Sequence, residues 1–124
     1  MDAATKTVLV VEDNELNMKL FNDLLEVQGY TILQAGNGDD AYRLAMSHAP
    51  DLILMDIQLP ERSGTEVARQ MKAEPKLADV PIIAITAFAM KDDEERIRAS
   101  GCDDYLAKPI SVTEFLEKVK RYLT

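Results

Sequence analysis

Five short apolar runs alternate along this chain with five stretches of helical pattern, and that alternation leaves few folds open. The runs are TVLVV (7–11), YTILQA (30–35), LILM ending at Met55, VPIIAI (80–85) and YLA (105–107). Each is short and mostly aliphatic or β-branched, and each reads as a strand. After the first, Asn14 caps a helix. Leu16, Leu20, Leu24 and Val27 form its apolar stripe, Phe21 and Leu25 widen it, and Gly29 closes it. A turn at Gly36–Asn37–Gly38 leads to a helix over Asp39–His48 that buries Ala41, Leu44 and Ala45. A third helix, near Ser63–Ala73, points Val67 and Met71 inward and is broken by Pro75. A fourth covers about Lys91–Ala99 and stops at Gly101. The last starts at Ser111, with Glu114 at capping-box spacing, and carries Phe115, Leu116, Val119, Tyr122 and Leu123 on one face. Strands alternating with helices predict an α/β fold, a parallel sheet covered on both faces.

The chain's 124 residues suit one domain, expected to span 1–124 with no output domain. Its net charge of −8, with no clustered Lys and Arg, argues against direct binding of nucleic acid, which needs phosphates neutralised. Cys102 is the single cysteine, so no intramolecular disulfide can form. The amino-terminal apolar run is too short for a signal peptide or a membrane span. A cytoplasmic protein is expected.

In an open parallel sheet, ligands bind beyond the carboxyl ends of the strands. Those positions here are Glu12 and Asp13, then Asp56, then Thr86 and Ala87, then Lys108 and Pro109. Asp56 stops the most hydrophobic strand of the chain, and a carboxylate placed there is costly unless something pairs with it. Three carboxylates on one rim repel one another. Two cations could relieve this, Lys108 and a hard divalent ion with oxygen ligands; Mg²⁺ takes one or two carboxylates and accepts phosphate oxygens. Asp56 would then be held as an anion, poised as a nucleophile toward phosphorus.

Glu12–Asp13, Asp56, Thr86, Tyr105 and Lys108–Pro109 together resemble the receiver domain of two-component response regulators, and the resemblance covers essentially the whole chain. The stretches VEDNELNMKLFNDLLEVQGY, DLILMDIQLPERSG and AITAFAMKDDEERIRASGCDDYLAKPIS look like a stand-alone receiver of alphaproteobacterial cell-cycle control. The resemblance implies a flavodoxin-like, CheY-like sheet of five parallel strands in the order 2-1-3-4-5, with five helices on its two faces. It implies that Asp56 accepts a phosphoryl group from a phosphohistidine on a histidine kinase. Asp13, Asp56 and the Gln58 backbone carbonyl would bind Mg²⁺, with Glu12 acting directly or through water. Thr86 would donate to the phosphoryl group and Tyr105 would turn inward, while Lys108–Pro109 would be a cis peptide. Gln58 and Phe88 would flank the pocket.

By the same resemblance the chain is a phosphoacceptor signalling protein, catalysing only its own phosphorylation and dephosphorylation. Its partners would be sensor histidine kinases and a kinase/phosphatase or adaptor, and it would be a monomer, recruited to sites by membrane-bound kinases. The first helix, around Asn17 and Phe21, would dock the phosphodonor; Lys91–Ala99, Tyr105 and the last helix would bind the reader. Taken one at a time, the same residues have plainer readings as helix caps, turn hydroxyls and solvated charges, and the run at 91–98 (KDDEERIR) reads as a solvated helix face. The fold order also hosts flavin carriers and aspartate-nucleophile phosphatases. The first would want a phosphate loop where Glu12–Asp13–Asn14 stands, and the second an acid where Gln58 stands. A scaffold pseudo-receiver, or a receiver detached from a hybrid kinase, is the remaining alternative.

Overall fold

The computed structural model describes residues 5–87 and 91–124, with Lys91 and Asp92 described in their backbone alone. Phe88 lies outside the described residues. Ten elements follow in strict alternation: β1 (Thr7–Val11), α1 (Glu15–Val27), β2 (Thr31–Ala35), α2 (Gly38–His48), β3 (Leu52–Asp56), α3 (Gly64–Lys72), β4 (Ile82–Thr86), α4 (Lys91–Ala99), β5 (Asp104–Ala107) and α5 (Val112–Leu123). The strands form one parallel sheet in the order β2-β1-β3-β4-β5, as the resemblance implied.

The period-two alternation of the strands divides the core in two. Leu9, Val11, Ile53 and Met55 face one way and pack with Ala41, Ala45, Val67, Met71 and Ile97 of α2, α3 and α4. Val8, Val10, Leu52, Leu54, Ile83 and Ile85 face the other way and pack with Phe21, Leu25, Phe115 and Val119 of α1 and α5. Every residue of β3 and β4 is buried, because both strands are central and covered on both sides. Helix starts follow their caps. The side chains of Asn14, Asn37, Ser63 and Ser111 each accept a backbone N–H from the first turn they precede.

The structure corrects two expectations. Leu16 is 79% exposed, Leu20 41% and Val27 83%, so the stripe read from α1 is mostly on the outside. Phe21 and Leu25 are the buried residues, with Met18 and Leu24 half-buried beside them. Two overlapping apolar faces compete on this helix, and α5 selects between them: the Phe21 and Phe115 rings stack with centroids 5.4 Å apart. The second correction concerns strand bounds. Asp56 and Thr86 are the last residues of β3 and β4 rather than the first beyond them, and β4 starts at Ile82, because Pro81 has no N–H to give the ladder.

Candidate functional site

The site stands at the carboxyl ends of β1, β3, β4 and β5, where the order reverses about β1 and β3. The parallel register pairs Met55 with both Val11 and Ala84, Asp56 with Ile85, and Thr86 with Ala107. Glu12, Asp56, Thr86 and Lys108 therefore end neighbouring strands within a residue or two of the same level. Backbone bonds continue the ladder past the strands and fix that level: Glu12 N–H donates to Ala35 O at 3.0 Å, Ile57 N–H to Ile85 O at 3.0 Å, and Lys108 N–H to Thr86 O at 2.8 Å.

One carboxylate oxygen from each of Glu12, Asp13 and Asp56 lies within 4.8 Å of the others. Glu12 and Asp56 are 3% and 1% exposed, whereas Asp13 faces solvent. The Lys108 ammonium lies 3.3 Å from Asp56 Oδ2 and 3.8 Å from Glu12 Oε1. Asp56 Oδ1 also accepts the Gln58 N–H at 2.9 Å, and Glu12 Oε2 accepts the Asn14 N–H at 3.2 Å. Glu12 Oε1 is buried and has no hydrogen-bond partner among the described residues. Burial first, and the Asp56 carboxylate second, push the Glu12 pKa up from 4.5 to about 7, against smaller pulls from the Asn14 N–H and then Lys108.

Among the described residues, three carboxylates against one ammonium leave the cluster short of positive charge. Its donors are all oxygen, partly buried and partly open, with one buried oxygen unsatisfied. That is the chemistry a hard divalent cation completes, and a soft metal would find no thiolate or imidazole here. A groove of about 610 Å³ opens beside the cluster, bounded by Glu12, Asp13, Glu15 and Met18 on one side and Gln34 and Gly36 on the other.

Several surroundings hold the cluster in place. A Cβ on Gly64 would meet the Asp56 carbonyl oxygen at 2.2 Å and Ile57 Cα at 2.8 Å, so the start of α3 presses on the backbone of the phosphoacceptor candidate and only glycine fits. Thr86 is buried at the end of β4, and Ala87 N–H donates to Gln58 Oε1 at 3.3 Å, joining that end to the loop after β3. The Lys108–Pro109 bond is cis.

Tyr105 is not in the carboxylate cluster. It lies half-buried on edge strand β5, where its hydroxyl donates to Glu94 Oε2 at 3.2 Å. Glu94, Arg98 and Lys118 gather around it, a group the sequence reading missed. The run at 91–98 is more than a solvated face: Ile97 is in the core and Glu94 reaches Tyr105. The Glu94/Arg98 spacing was visible in the sequence, but the packing of α4 and α5 against β5 was not. Cys102 is buried beside Ser100 with its pKa raised by burial.

Comparison with known proteins fits this geometry. A family model described as response regulator receiver domain matches residues 8–120. The polar-differentiation response regulator DivK of Brucella anthropi is 59% identical over 118 residues, which are 95% of this chain and 96% of that protein. The protein of the same name from Brucella ovis is 59% identical over 119 residues, 96% of this chain and 97% of its own. Among solved structures, the receiver domain of a Pseudomonas aeruginosa PAO1 sensor histidine kinase superposes with a TM-score of 0.89 at 35% identity, covering 96% of this chain and 98% of that one. It carries a magnesium ion coordinated in its active-site cleft. A response regulator from Chloroflexus aurantiacus gives a TM-score of 0.91 at 27% identity over 96% and 98% of the two chains.

Proposed function

This chain belongs to the response regulator receiver domain family, and on that premise we propose that Asp56 accepts a phosphoryl group in a Mg²⁺-dependent transfer from a histidine kinase. The observation that carries the reading is the cluster itself: three carboxylates within 4.8 Å of one another and an ammonium 3.3 Å from Asp56. Glu12, Asp13, Asp56 and the Gln58 carbonyl are the residues that would hold the ion. When bound, it supplies positive charge opposite the phosphoryl oxygens.

The rest is the work of side chains. An Asp56 carboxylate oxygen forms the new O–P bond as the donor's P–N bond breaks, giving an acyl phosphate and a free imidazole. Lys108 offsets the negative charge that gathers on the equatorial oxygens, where positioning and charge matter more than covalent help. Thr86 donates its hydroxyl to the phosphoryl group, drawing the end of β4 inward. Tyr105 follows into the space this opens, and the surface of α4, β5 and α5 changes. Catalysis would extend no further than the protein's own phosphorylation and dephosphorylation.

The apolar residues that α1 leaves outside suit a docking role for the phosphodonor. Leu20 and Phe21 line a groove of about 240 Å³ with Pro109 and Ile110, beside Lys108 and hence beside Asp56. The DivK relatives extend the reading to cell-cycle polarity, with sensor histidine kinases and a kinase/phosphatase or adaptor as partners of a monomer. Among the described residues no helix is long and apolar enough to cross a membrane. The reading sets the work in the cytoplasm, with recruitment to sites by membrane-bound kinases.

Incubation with acetyl phosphate and Mg²⁺, followed by intact mass, tests the reading. Wild type should gain one phosphoryl group; a chelator or Asp56→Asn should abolish the gain. If neither acetyl phosphate nor phosphorylated kinase labels the protein, and Mg²⁺ does not bind, the scaffold reading replaces this one.

A further inference from the structure

On the Thr86–Tyr105 switch proposed above rests a second reading, drawn from what surrounds the Tyr105 ring. Its hydroxyl donates to Glu94 Oε2 on α4 at 3.2 Å. The Arg98 guanidinium, also on α4, lies 5.9 Å from the ring centroid, and the Lys118 ammonium on α5 lies 5.4 Å from it. Both are within reach of a cation–π attraction. The three charges are themselves held: Arg98 Nε is 3.6 Å from Glu94 Oε1, and Lys118 Nζ is 3.0 Å from Asp104 Oδ1 and 2.7 Å from the carbonyl oxygen of Tyr105. Tyr122 donates its hydroxyl to Asp104 Oδ2 at 3.2 Å, fixing the far side of the same network.

We propose that Glu94, Arg98 and Lys118 form a latch that holds Tyr105 in its outer position and thereby sets how much phosphorylation the switch needs. An inward turn of the ring must break the Glu94 hydrogen bond and leave both cations. None of that is required by the phosphoryl chemistry at Asp56, which is on a different part of the rim. The latch is thus a resting-state brake, and its strength is adjustable without touching the site. It also spans α4, β5 and α5, so its release loosens the charges of all three elements together.

Titration of the full chain with beryllofluoride and Mg²⁺, read by backbone amide NMR at residues 104–107, tests this. Beryllofluoride stands in for the phosphoryl group on Asp56. Glu94→Ala should lower the titration midpoint roughly threefold to tenfold, the net worth of one ordinary hydrogen bond, since solvent screens the acceptor's charge at a partly exposed site. Glu94→Gln keeps an acceptor and should recover most of the wild-type midpoint. Arg98→Ala should move it the same way by less. Glu94 is 36% exposed in its side chain, so these changes spare the core. In a Tyr105→Phe background the ring has no hydroxyl to hold, and Glu94→Ala should then add nothing.

An unchanged midpoint in Glu94→Ala, or an equal shift in the Tyr105→Phe background, overturns the latch. The two readings fail differently. If the 104–107 amides of wild type do not respond to beryllofluoride, the switch falls and the latch with it. If they respond in wild type and Glu94→Ala matches it, only the latch falls.

Discussion

Glu12 carries the largest unmet electrostatic demand of any described residue. It is 3% exposed, its Oε1 has no hydrogen-bond partner among the described residues, and its pKa rises from 4.5 to about 7 because burial and Asp56 disfavour its charge. An acid with a raised folded pKa holds its proton more tightly folded than unfolded. Its contribution to stability is therefore present below about 4.5 and is lost as pH rises through about 7. Other carboxylates run the opposite way; Asp104, for one, is held low against its burial by the Tyr105 N–H and Lys118. The difference between wild type and Glu12→Gln isolates the Glu12 part. Without metal, the stability of wild type relative to Glu12→Gln should fall as pH climbs from about 4.5 to about 7, measured by urea denaturation. Cation binding follows the reverse sign, since a proton on Glu12 competes with the ion. Mg²⁺ affinity of wild type should weaken as pH drops from about 8 toward 6, and that slope should flatten in Glu12→Gln. An identical slope in both proteins would assign the proton to another group.

The sequence and the structure part company most clearly at α1. Its capping residue, its length and the glycine after it were legible: Asn14 accepts the Asn17 N–H, and Gly29 takes φ 90°, a backbone angle that L side chains rarely adopt. Its inward face was not. Leu16, Leu20, Leu24 and Val27 fit helical spacing as well as Met18, Phe21 and Leu25 do, and periodicity has no means of ranking two apolar faces on one helix. Tertiary contact decides, through the stack of Phe21 on Phe115 of α5. The same contact leaves Leu16 and Val27 free for a partner. Phe21→Ala should accordingly cost about 3–5 kcal/mol, as large core truncations do. Leu16→Ala, at a site 79% exposed, should stay within about 0.5 kcal/mol in denaturant melts. A loss in phosphotransfer from a kinase with stability unchanged would place Leu16 in the docking face. A loss of several kcal/mol on Leu16→Ala would return the helix to its other reading.

At the scale of the molecule, the alternation of strand and helix predicted a parallel sheet covered on both faces, the resemblance to receiver domains implied its strand order, and the carboxyl-end rule located the rim. The rim residues were legible because each directly ends or follows a strand: Glu12, Asp13, Asp56, Thr86 and Lys108. What a one-dimensional reading lacks is the lateral packing of helices over β5, and so the Glu94–Arg98–Lys118 group went unseen. The two ends of the sheet also differ in how well their charges are matched. At the amino ends of β4 and β5, Lys72 is fully engaged. It donates to the Val80 carbonyl at 2.7 Å and to Asp103 Oδ2 at 3.1 Å, and Asp103 in turn accepts the Ile82 N–H at 2.8 Å. At the carboxyl ends, the ammonium of Lys108 serves both Glu12 and Asp56, with Asp13 as a third carboxylate beside them, and no other ion pair to these three acids is found among the described residues.

That imbalance favours binding over folding, so the metal-free protein should be less stable than it could be. Removing the Asp56 charge relieves repulsion with Glu12 and Asp13, while the side-chain amide oxygen that Asp56→Asn introduces can still accept the Gln58 N–H. The attraction to Lys108 is lost, but Lys108 retains Glu12. Asp56→Asn should therefore melt higher than wild type in the absence of metal, by about 1 kcal/mol or roughly 3–6 °C for a chain of this size. Saturating Mg²⁺ should narrow or reverse the gap, because the ion stabilises the wild-type cluster more than one missing a carboxylate. Calorimetry with and without Mg²⁺ checks both signs. A variant that melts lower than wild type without metal would mean that the Lys108 pair outweighs the repulsion, and that the site is held together by its own charges before any ion arrives.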